Sequence, residues 1–217
     1  MPSTDAPSQP SPDCRLCPRL AQFRDDNQAT YPDWHNGPVA SFGNLDARLL
    51  IVGLAPGLRG ANRTSRPFTG DYAGDLLYPT LLEFGFAQGT YGADTGDGLA
   101  LVDCRITNAV RCVPPANKPT GVEVKTCRDF LAAEMAAMPA LDVVLALGGL
   151  AHRAIVATLG LRQKDWPFRH AGMMELPDGR WLASSYHCSR YNTNTGRLTE
   201  AMFHDVFRAV RSNIDGK

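Results

Sequence analysis

Short apolar runs alternate with longer segments of helical periodicity along the chain. Branched apolar residues run together and predict strands over 47–53, 98–103, 142–148 and 181–187, with a further extended segment over 105–112. Apolar residues at helical spacing predict helices over 71–84, 121–138, 149–159 and 198–213. This alternation predicts an α/β fold with a parallel sheet covered on both faces, and ligand chemistry in the loops beyond the carboxyl ends of the strands.

Composition adds that the chain is an ordinary globular one. It has 217 residues, of which 44% are hydrophobic and 20% charged. Residues 1–13 contain four Pro and three Ser without a cationic start, so we expect a disordered tail before a single domain over 14–217, and neither a signal nor a transit peptide. Because no apolar run approaches the roughly 18 to 20 residues of a membrane span, we predict a soluble, cytoplasmic protein.

Charge is balanced overall but unevenly distributed. The 22 cations equal the 22 acids, yet nine cations lie in three segments without a carboxylate, over 54–70, 104–122 and 179–199. Charge alone allows three unrelated solvated loops or one basic face. The predicted parallel sheet opens all three segments on the same edge, which favours one phosphate-binding face.

Four of the six cysteines form a candidate ligand set. Cys14 and Cys17 are two residues apart, a spacing that lets both sulfurs reach one centre, and Cys112 and Cys127 can complete a four-thiolate set. Tetrahedral zinc and a four-iron four-sulfur cluster both fit this spacing, and so does a surface turn with two buried cysteines. Cys104 is expected in the core.

Three motifs carry a resemblance to a known family. The runs GLAPGLRGANRTSRPFTGD (53–71), RITNAVRCVPPANKP (105–119) and HCSRYNTNTGRLT (187–199) resemble the iron-sulfur uracil-DNA glycosylases, most closely the type B, or family 5, enzymes. Family 4 members carry an acid after the first Gly, where this chain has Leu54. The resemblance implies a three-layer αβα fold with a four-stranded parallel core sheet. It also implies a structural 4Fe-4S cluster held by Cys14, Cys17, Cys112 and Cys127.

The resemblance implies a site for one nucleobase swung out of DNA. Phe68 would stack on uracil, and the Asn108 amide would face its polar edge. His187 would donate to uracil O2 and stabilise the leaving anion, while Asp71, kept ionised by basic surroundings, would face the sugar cation or orient water. The alternatives are a core Phe68, a turn-capping Asn108 and a helix-capping Asp71. The backbone that lines the pocket would come from Gly53, Leu54 and Ala55.

Contacts with DNA are expected from the acid-free segments, and we expect a monomer. Arg190 or Tyr191 would fill the gap left in the base stack. Cys188 stands where the family has Pro, which predicts a less rigid loop. It is not expected to be a nucleophile. The candidate DNA contacts are Arg59, Arg63, Arg66, Lys118, Ser189, Arg190, Tyr191 and Arg197.

The activity implied is hydrolysis of the N-glycosidic bond of uracil in DNA, without a lyase step because no Lys occupies a nucleophile position. Type B relatives tend to accept other deaminated bases such as hypoxanthine, which fits a site without a polar residue at position 54. The alternatives are a strict family 4 type uracil enzyme and a protein that binds damaged DNA without cleaving it.

Overall fold

The structure, a computed structural model, describes residues 9–216. In chain order, the helices and strands in this range are α1 (Pro18–Thr30), β1 (Leu49–Gly53), α2 (Ala61–Thr64), α3 (Tyr72–Glu83), β2 (Ala87–Gln88), β3 (Ala100–Leu101), β4 (Cys104–Asn108), α4 (Gly121–Ala136), β5 (Val143–Leu147), α5 (Gly149–Thr158), β6 (Gly172–Glu175), β7 (Trp181–Ser185), α6 (Arg190–Asn194) and α7 (Glu200–Asp215). Single 3-10 turns lie at Pro115–Asn117 and Gln163–Asp165.

The central sheet has the order β4-β1-β5-β7-β6. The first four strands are parallel, which confirms the predicted parallel core, and β6 adds an antiparallel edge strand. The sequence did not indicate β6, because this strand has only four residues, Gly-Met-Met-Glu, which are partly exposed and do not alternate between apolar and polar.

Helices cover both faces of the sheet. In β1, Leu49 and Ile51 pack into an apolar cluster that includes residues of α3 and α7. Leu50 and Val52 point to the other face, where their cluster includes residues of α4 and α5. Since successive side chains of a strand alternate between faces, one fully apolar strand serves both layers. The predicted three-layer αβα arrangement is confirmed.

One predicted strand is displaced. The sheet strand next to β1 is β4, whereas the predicted strand over 98–103 supplies only β3, which pairs with β2 in a separate two-stranded ribbon. Strand β4 instead overlaps the predicted extended segment over 105–112 and ends at Asn108. Arg105 can be buried there because it pairs with Glu134 of α4 at 2.7 Å.

The N-terminal segment packs against the domain from residue 9. The side chain of Gln9 donates to Ser41 Oγ at 3.0 Å and accepts from Arg111 Nη1 at 3.1 Å, so residues 9–13 do not form the predicted disordered tail. Residues 1–8 lie outside the described range. Helix α1, which the sequence did not indicate, follows Cys17 and buries Leu20 beside Cys112 and Cys127.

No helix between residues 9 and 216 is both long enough and apolar enough to cross a membrane.

Candidate active site

A cavity of about 700 Å³ opens at the carboxyl ends of the parallel strands. Each of the four strands contributes to its wall, with Leu54 after β1, Asn108 at the end of β4, Leu147 at the end of β5 and His187 after β7. Phe68 and Asp71 line the same cavity. The three motif segments therefore meet at the sheet edge where the fold prediction placed them.

Gly53 allows two of the predicted site residues to approach each other. It pairs in register with Asn108, and a Cβ at this position would collide with Asn108 Oδ1 and lie 2.6 Å from Phe68 Cζ. Asn108 is 4% exposed, and its side-chain amide makes no hydrogen bond within residues 9–216. The alternative role as a turn cap is not observed. The amide is free to pair with a ligand in the cavity.

Phe68 is held in a left-handed backbone conformation, with φ of +53°. Such a conformation is unfavourable for a bulky residue and persists only where the surroundings fix it. Here the Tyr78 hydroxyl donates to Pro67 O at 2.5 Å, and the Thr64 hydroxyl donates to Thr69 O at 2.9 Å. The Phe68 ring lies 6.0 Å from the His187 ring, centroid to centroid. One face of the cavity is thus aromatic.

Arg66 was predicted to contact DNA, and the structure corrects this. It is 5% exposed and forms a bidentate ion pair with Asp97, at 2.6 and 2.9 Å. Its guanidinium also lies 5.4 to 5.8 Å from the ring centroids of Phe42, Tyr78 and Tyr91. Arg66 therefore fastens the loop on which Phe68 sits rather than facing solvent.

Other cations of the acid-free segments are paired as well. Arg105 and Arg111 both bind the buried Glu134, and Arg180 binds Asp178 at 2.5 Å. The basic face is therefore smaller than the sequence predicts. The cations that remain exposed, and that form no ion pair with another residue of 9–216, are Arg59, Arg63, Lys118, Arg190 and Arg197.

Asp71 has two structural roles. One oxygen accepts from Ala73 N at 3.1 Å and caps α3, as the alternative interpretation expected. The other oxygen faces Gly57 and Gly60, where a Cβ would collide with it. Burial raises the pKa of Asp71, against hydrogen bonds from the Ala73 and Gly74 backbone. No cation is among the causes of this shift, so the predicted basic surroundings are not what sets the ionisation of Asp71.

His187 follows β7 and rests on Gly148, where a Cβ would lie 3.3 Å from His187 Cβ. Burial lowers the pKa of His187, so the imidazole is neutral at pH 7. The imidazole ring makes no hydrogen bond in the described part of the chain, while the His187 carbonyl accepts from Asn192 Nδ2 at 2.8 Å. A neutral imidazole is left to donate one hydrogen bond into the cavity.

The loop after His187 is anchored by Cys188. This side chain is fully buried in the apolar cluster that contains α7 residues, and burial raises its thiol pKa to about 12. A protonated, buried thiol is not a nucleophile, as predicted. The absence of Pro predicted a less rigid loop, but the buried Cys188 side chain restricts the movement of this loop. Ser189, a predicted DNA contact, caps α6 through Asn192 N at 3.5 Å.

Several cavity residues were not found from the sequence. Asn117, with φ of +56°, belongs to the second motif but carried no periodic or spacing signal. Leu150, Arg153, Phe168 and Tyr186 lie outside the three motifs, on α5 or next to the two last strands. Only the fold brings them to the cavity.

Cys14, Cys17, Cys112 and Cys127 line one small cavity at the base of α1. A single zinc ion, with Zn–S bonds of about 2.3 Å, would need sulfurs about 3.8 Å apart. Within the described residues, no three His, Cys, Asp or Glu side chains are arranged to hold one metal ion. The four thiol side chains converge on this one cavity, and four thiolates are a donor set for a metal or iron-sulfur site.

The surroundings of this cavity are suited to negative charge. Arg24 is 5% exposed, and its Nη1 lies 3.8 Å from Cys112 Sγ. It forms no ion pair with any described residue. The Arg111 backbone N–H donates to Cys127 Sγ at 3.4 Å. A buried cation and an N–H···S bond stabilise thiolate ligands, although burial itself raises the thiol pKa of Cys112 to about 12.

Comparison with known protein families matches residues 40–211 to the uracil DNA glycosylase superfamily. Since the match spans most of the sequence and agrees with the αβα fold and the cavity at its edge, the chain belongs to that superfamily.

Relatives of similar length share the type 5 name. A type-5 uracil-DNA glycosylase of Thermus thermophilus is 46% identical over 204 residues, covering 91% of this chain and 92% of that protein. One from Mycobacterium leprae is 42% identical over 207 residues, covering 91% and 90%. A type-4 uracil-DNA glycosylase of Thermotoga maritima is 38% identical over only 114 residues, or 52% of this chain. The predicted family 5 membership is confirmed.

Proposed function

We propose that this protein hydrolyses the N-glycosidic bond of uracil in DNA and leaves an abasic site, the first step of base-excision repair. The observation that carries the proposal is the convergence of Phe68, Asn108 and His187, from three distant segments, on one cavity. The names of the similar proteins support it.

Recognition of the base uses the aromatic wall and the amide. The nucleotide is swung out of the duplex at a cost of a few kcal/mol, and stacking on Phe68 returns about 1 to 3 kcal/mol. The unpaired Asn108 amide offers a donor and an acceptor, which match uracil O4 and N3–H. The backbone at Leu54 and Ala55 completes the wall, whereas Gly53, predicted with them, lies outside the cavity lining.

Cleavage leaves negative charge on the base and positive charge on the sugar. The neutral imidazole of His187 donates to uracil O2 and stabilises the departing anion. Asp71 faces the sugar or orients the attacking water. Lys is absent from the cavity lining within residues 9–216, which supports hydrolysis without a lyase step.

The wider setting follows from the same surface. Leu54 places no charge beside the base, so we include hypoxanthine among the substrates. The proposed DNA contacts are Arg59, Arg63, Lys118, Ser189, Arg190, Tyr191 and Arg197. We propose that residues 14–217 act as one monomeric domain in the cytoplasm, where cysteines that form no disulfide, such as the six found here, persist.

A product assay tests the proposed activity. The protein is incubated with duplexes that carry one U·G, U·A or hypoxanthine·T pair, and the products are treated with alkali. We expect strand breaks at uracil and at hypoxanthine, and none at a normal C·G pair. Breaks at uracil alone would favour a strict family 4 type enzyme. Binding without breaks would show a damage-binding protein and contradict the proposal.

We also propose that Cys14, Cys17, Cys112 and Cys127 hold a 4Fe-4S cluster with a structural role. The cluster would supply cross-linking rather than a reaction step. It would join the turn before α1 to α4 and to the segment just after Asn108, and so fix a loop beside the cavity. Arg24 and the Arg111 N–H would balance its charge and bind its sulfurs.

Absorbance at about 400 nm, together with iron and sulfide content, tests the cluster. We expect wild-type protein to absorb there, and Cys17→Ser to lose both the absorbance and thermal stability, because a cluster bound only by the folded chain stabilises it. Cys104→Ala is the matched control, since Cys104 is buried in the sheet away from this cavity. Zinc without iron, or equal absorbance in the Cys17 variant, would contradict the proposal.

A further inference from the structure

Leu150 is an exposed apolar side chain on the wall of the cavity. It is 52% exposed, although the neighbouring β5 residues and Ala151 are buried. It lies in the first turn of α5, directly after Gly148 and Gly149. The core does not use this side chain, so its exposure beside the site needs another explanation.

Arg153 lies on the same side of α5 as Leu150, one turn further along. Residues three apart on a helix are neighbours, and both line the cavity. Arg153 is exposed and forms no ion pair with any residue the structure describes. Next to them, the Phe168 ring is 3.7 Å from where a Cβ of Gly149 would be. The rim here combines an apolar tip with a free cation.

The charge of the cavity selects the partner. Among described residues, Asp71 is the only carboxylate in the lining, whereas Arg153, Arg190 and Arg197 also line it. An apolar protein partner would not need these cations. Double-stranded DNA matches both features. Its phosphates carry negative charge that suits these cations, and its stacked bases form an apolar interior that suits the exposed Leu150.

We propose that Leu150 and Arg153 form a second DNA contact, separate from the α6 segment that carries Arg190 and Tyr191. Leu150 enters the base stack beside the extruded nucleotide, and Arg153 binds a backbone phosphate near it. Leu150 on α5 would hold the duplex open, while Tyr191 on α6, which is 72% exposed, would fill the gap in the base stack. This inference rests on the proposed function and assigns residues that none of the three motifs contains.

The wedge is needed only where bases are stacked and paired. For Leu150→Ala we expect the ratio of kcat/KM on a U·A duplex to kcat/KM on single-stranded uracil DNA to fall about tenfold. Val122→Ala is the control, because Val122 is 74% exposed on α4 and lines no part of the cavity; its ratio should match wild type. An unchanged ratio for Leu150→Ala would overturn the wedge.

The phosphate contact is tested by salt. For Arg153→Gln we expect the slope of log K against log salt on duplex DNA to become shallower by about 0.9, the effect of one lost phosphate contact. Arg208→Gln, on the exposed face of α7 where Arg208 pairs with Asp205, should leave the slope unchanged. An unchanged slope for Arg153→Gln would overturn this contact.

A readout independent of cleavage separates this inference from the proposed activity. A 2-aminopurine placed beside uracil brightens when its stacking is disturbed. Wild-type protein should raise its fluorescence on binding, and Leu150→Ala should not. If wild type raises the signal but yields no abasic site, the activity fails and the wedge stands. If both proteins raise it equally, the wedge fails.

Discussion

His187→Ala lowers kcat/KM for uracil excision from a U·G duplex by about 10² to 10³-fold, or roughly 2.7 to 4 kcal/mol of transition-state stabilisation. The imidazole is half-buried, neutral and without a hydrogen bond in the described chain, so its donor is directed at charge that develops on the leaving base rather than at another protein group. Single-turnover rates on excess enzyme measure the loss, and affinity for the duplex should change much less.

The pH profile distinguishes this role from an imidazolium role. Burial lowers the pKa of His187 below its ordinary value. Because its pKa is lowered, His187 stays neutral at pH values where an exposed imidazole, with a pKa of about 6.5, becomes charged. The rate of excision should therefore not rise as the pH falls through about 6.5. A rise in rate through that range, absent in His187→Ala, would show that the charged form is the active one.

A matched histidine and a second site residue serve as controls. His204→Ala should excise uracil at the wild-type rate, because His204 lies on α7 between Glu83 and Glu200. Asn108→Ala should be slow too. Its effect should combine with that of His187→Ala less than additively, since both groups bind the same base in the transition state. A wild-type rate in His187→Ala would remove the proposed mechanism.

The elements that the sequence predicted well are those whose side chains are uniform. β1 and β5 are apolar throughout because helices cover both faces of the sheet. In a chain where strands and helices alternate, a short apolar run of this kind predicts a buried strand. β4 was predicted only as an extended segment over 105–112, because Arg105, Thr107 and Asn108 are polar yet buried. The partners of Arg105 and Thr107, which are Glu134 and Ser41, are far away in sequence, and only the fold shows them.

The site shows the same division. The meeting of Asn108 and His187 at one edge follows from strand direction alone, and it was predictable. Which charged side chains are paired was not predictable. The sequence indicated that Arg66 was a free cation because its partner, Asp97, is 31 positions away in an acid-containing loop. Leu150 and Phe168 have no motif, and their place at the cavity depends on where α5 begins.

Glu134→Gln lowers the free energy of unfolding by about 3 to 5 kcal/mol, the cost of removing one partner from a buried ion pair. Glu134 is fully buried, with Arg105 Nε at 2.7 Å and Arg111 Nη2 at 2.5 Å. Gln keeps the shape but leaves two buried guanidinium groups without a counter-charge. Unfolding in urea, followed by circular dichroism, measures the change. Asp205→Asn is the control, because its pair with Arg208 is 63% exposed on both sides and should contribute about 0 to 1 kcal/mol.

Acid should reduce the difference between wild type and Glu134→Gln. Burial raises the pKa of Glu134, but Arg111, Ser41 and Arg105 outweigh it, so the folded-state pKa is lowered. A lowered carboxyl pKa contributes stability that is fully present above the unfolded-state pKa of about 4.3 and is lost as pH falls through the folded-state value. The two proteins should therefore differ most near pH 7 and converge below about pH 4. Arg105 and Arg111 lie on either side of Asn108 in the sequence. If Glu134→Gln were as stable as wild type at every pH, the Glu134, Arg105 and Arg111 triad would not hold the strand that positions the Asn108 amide.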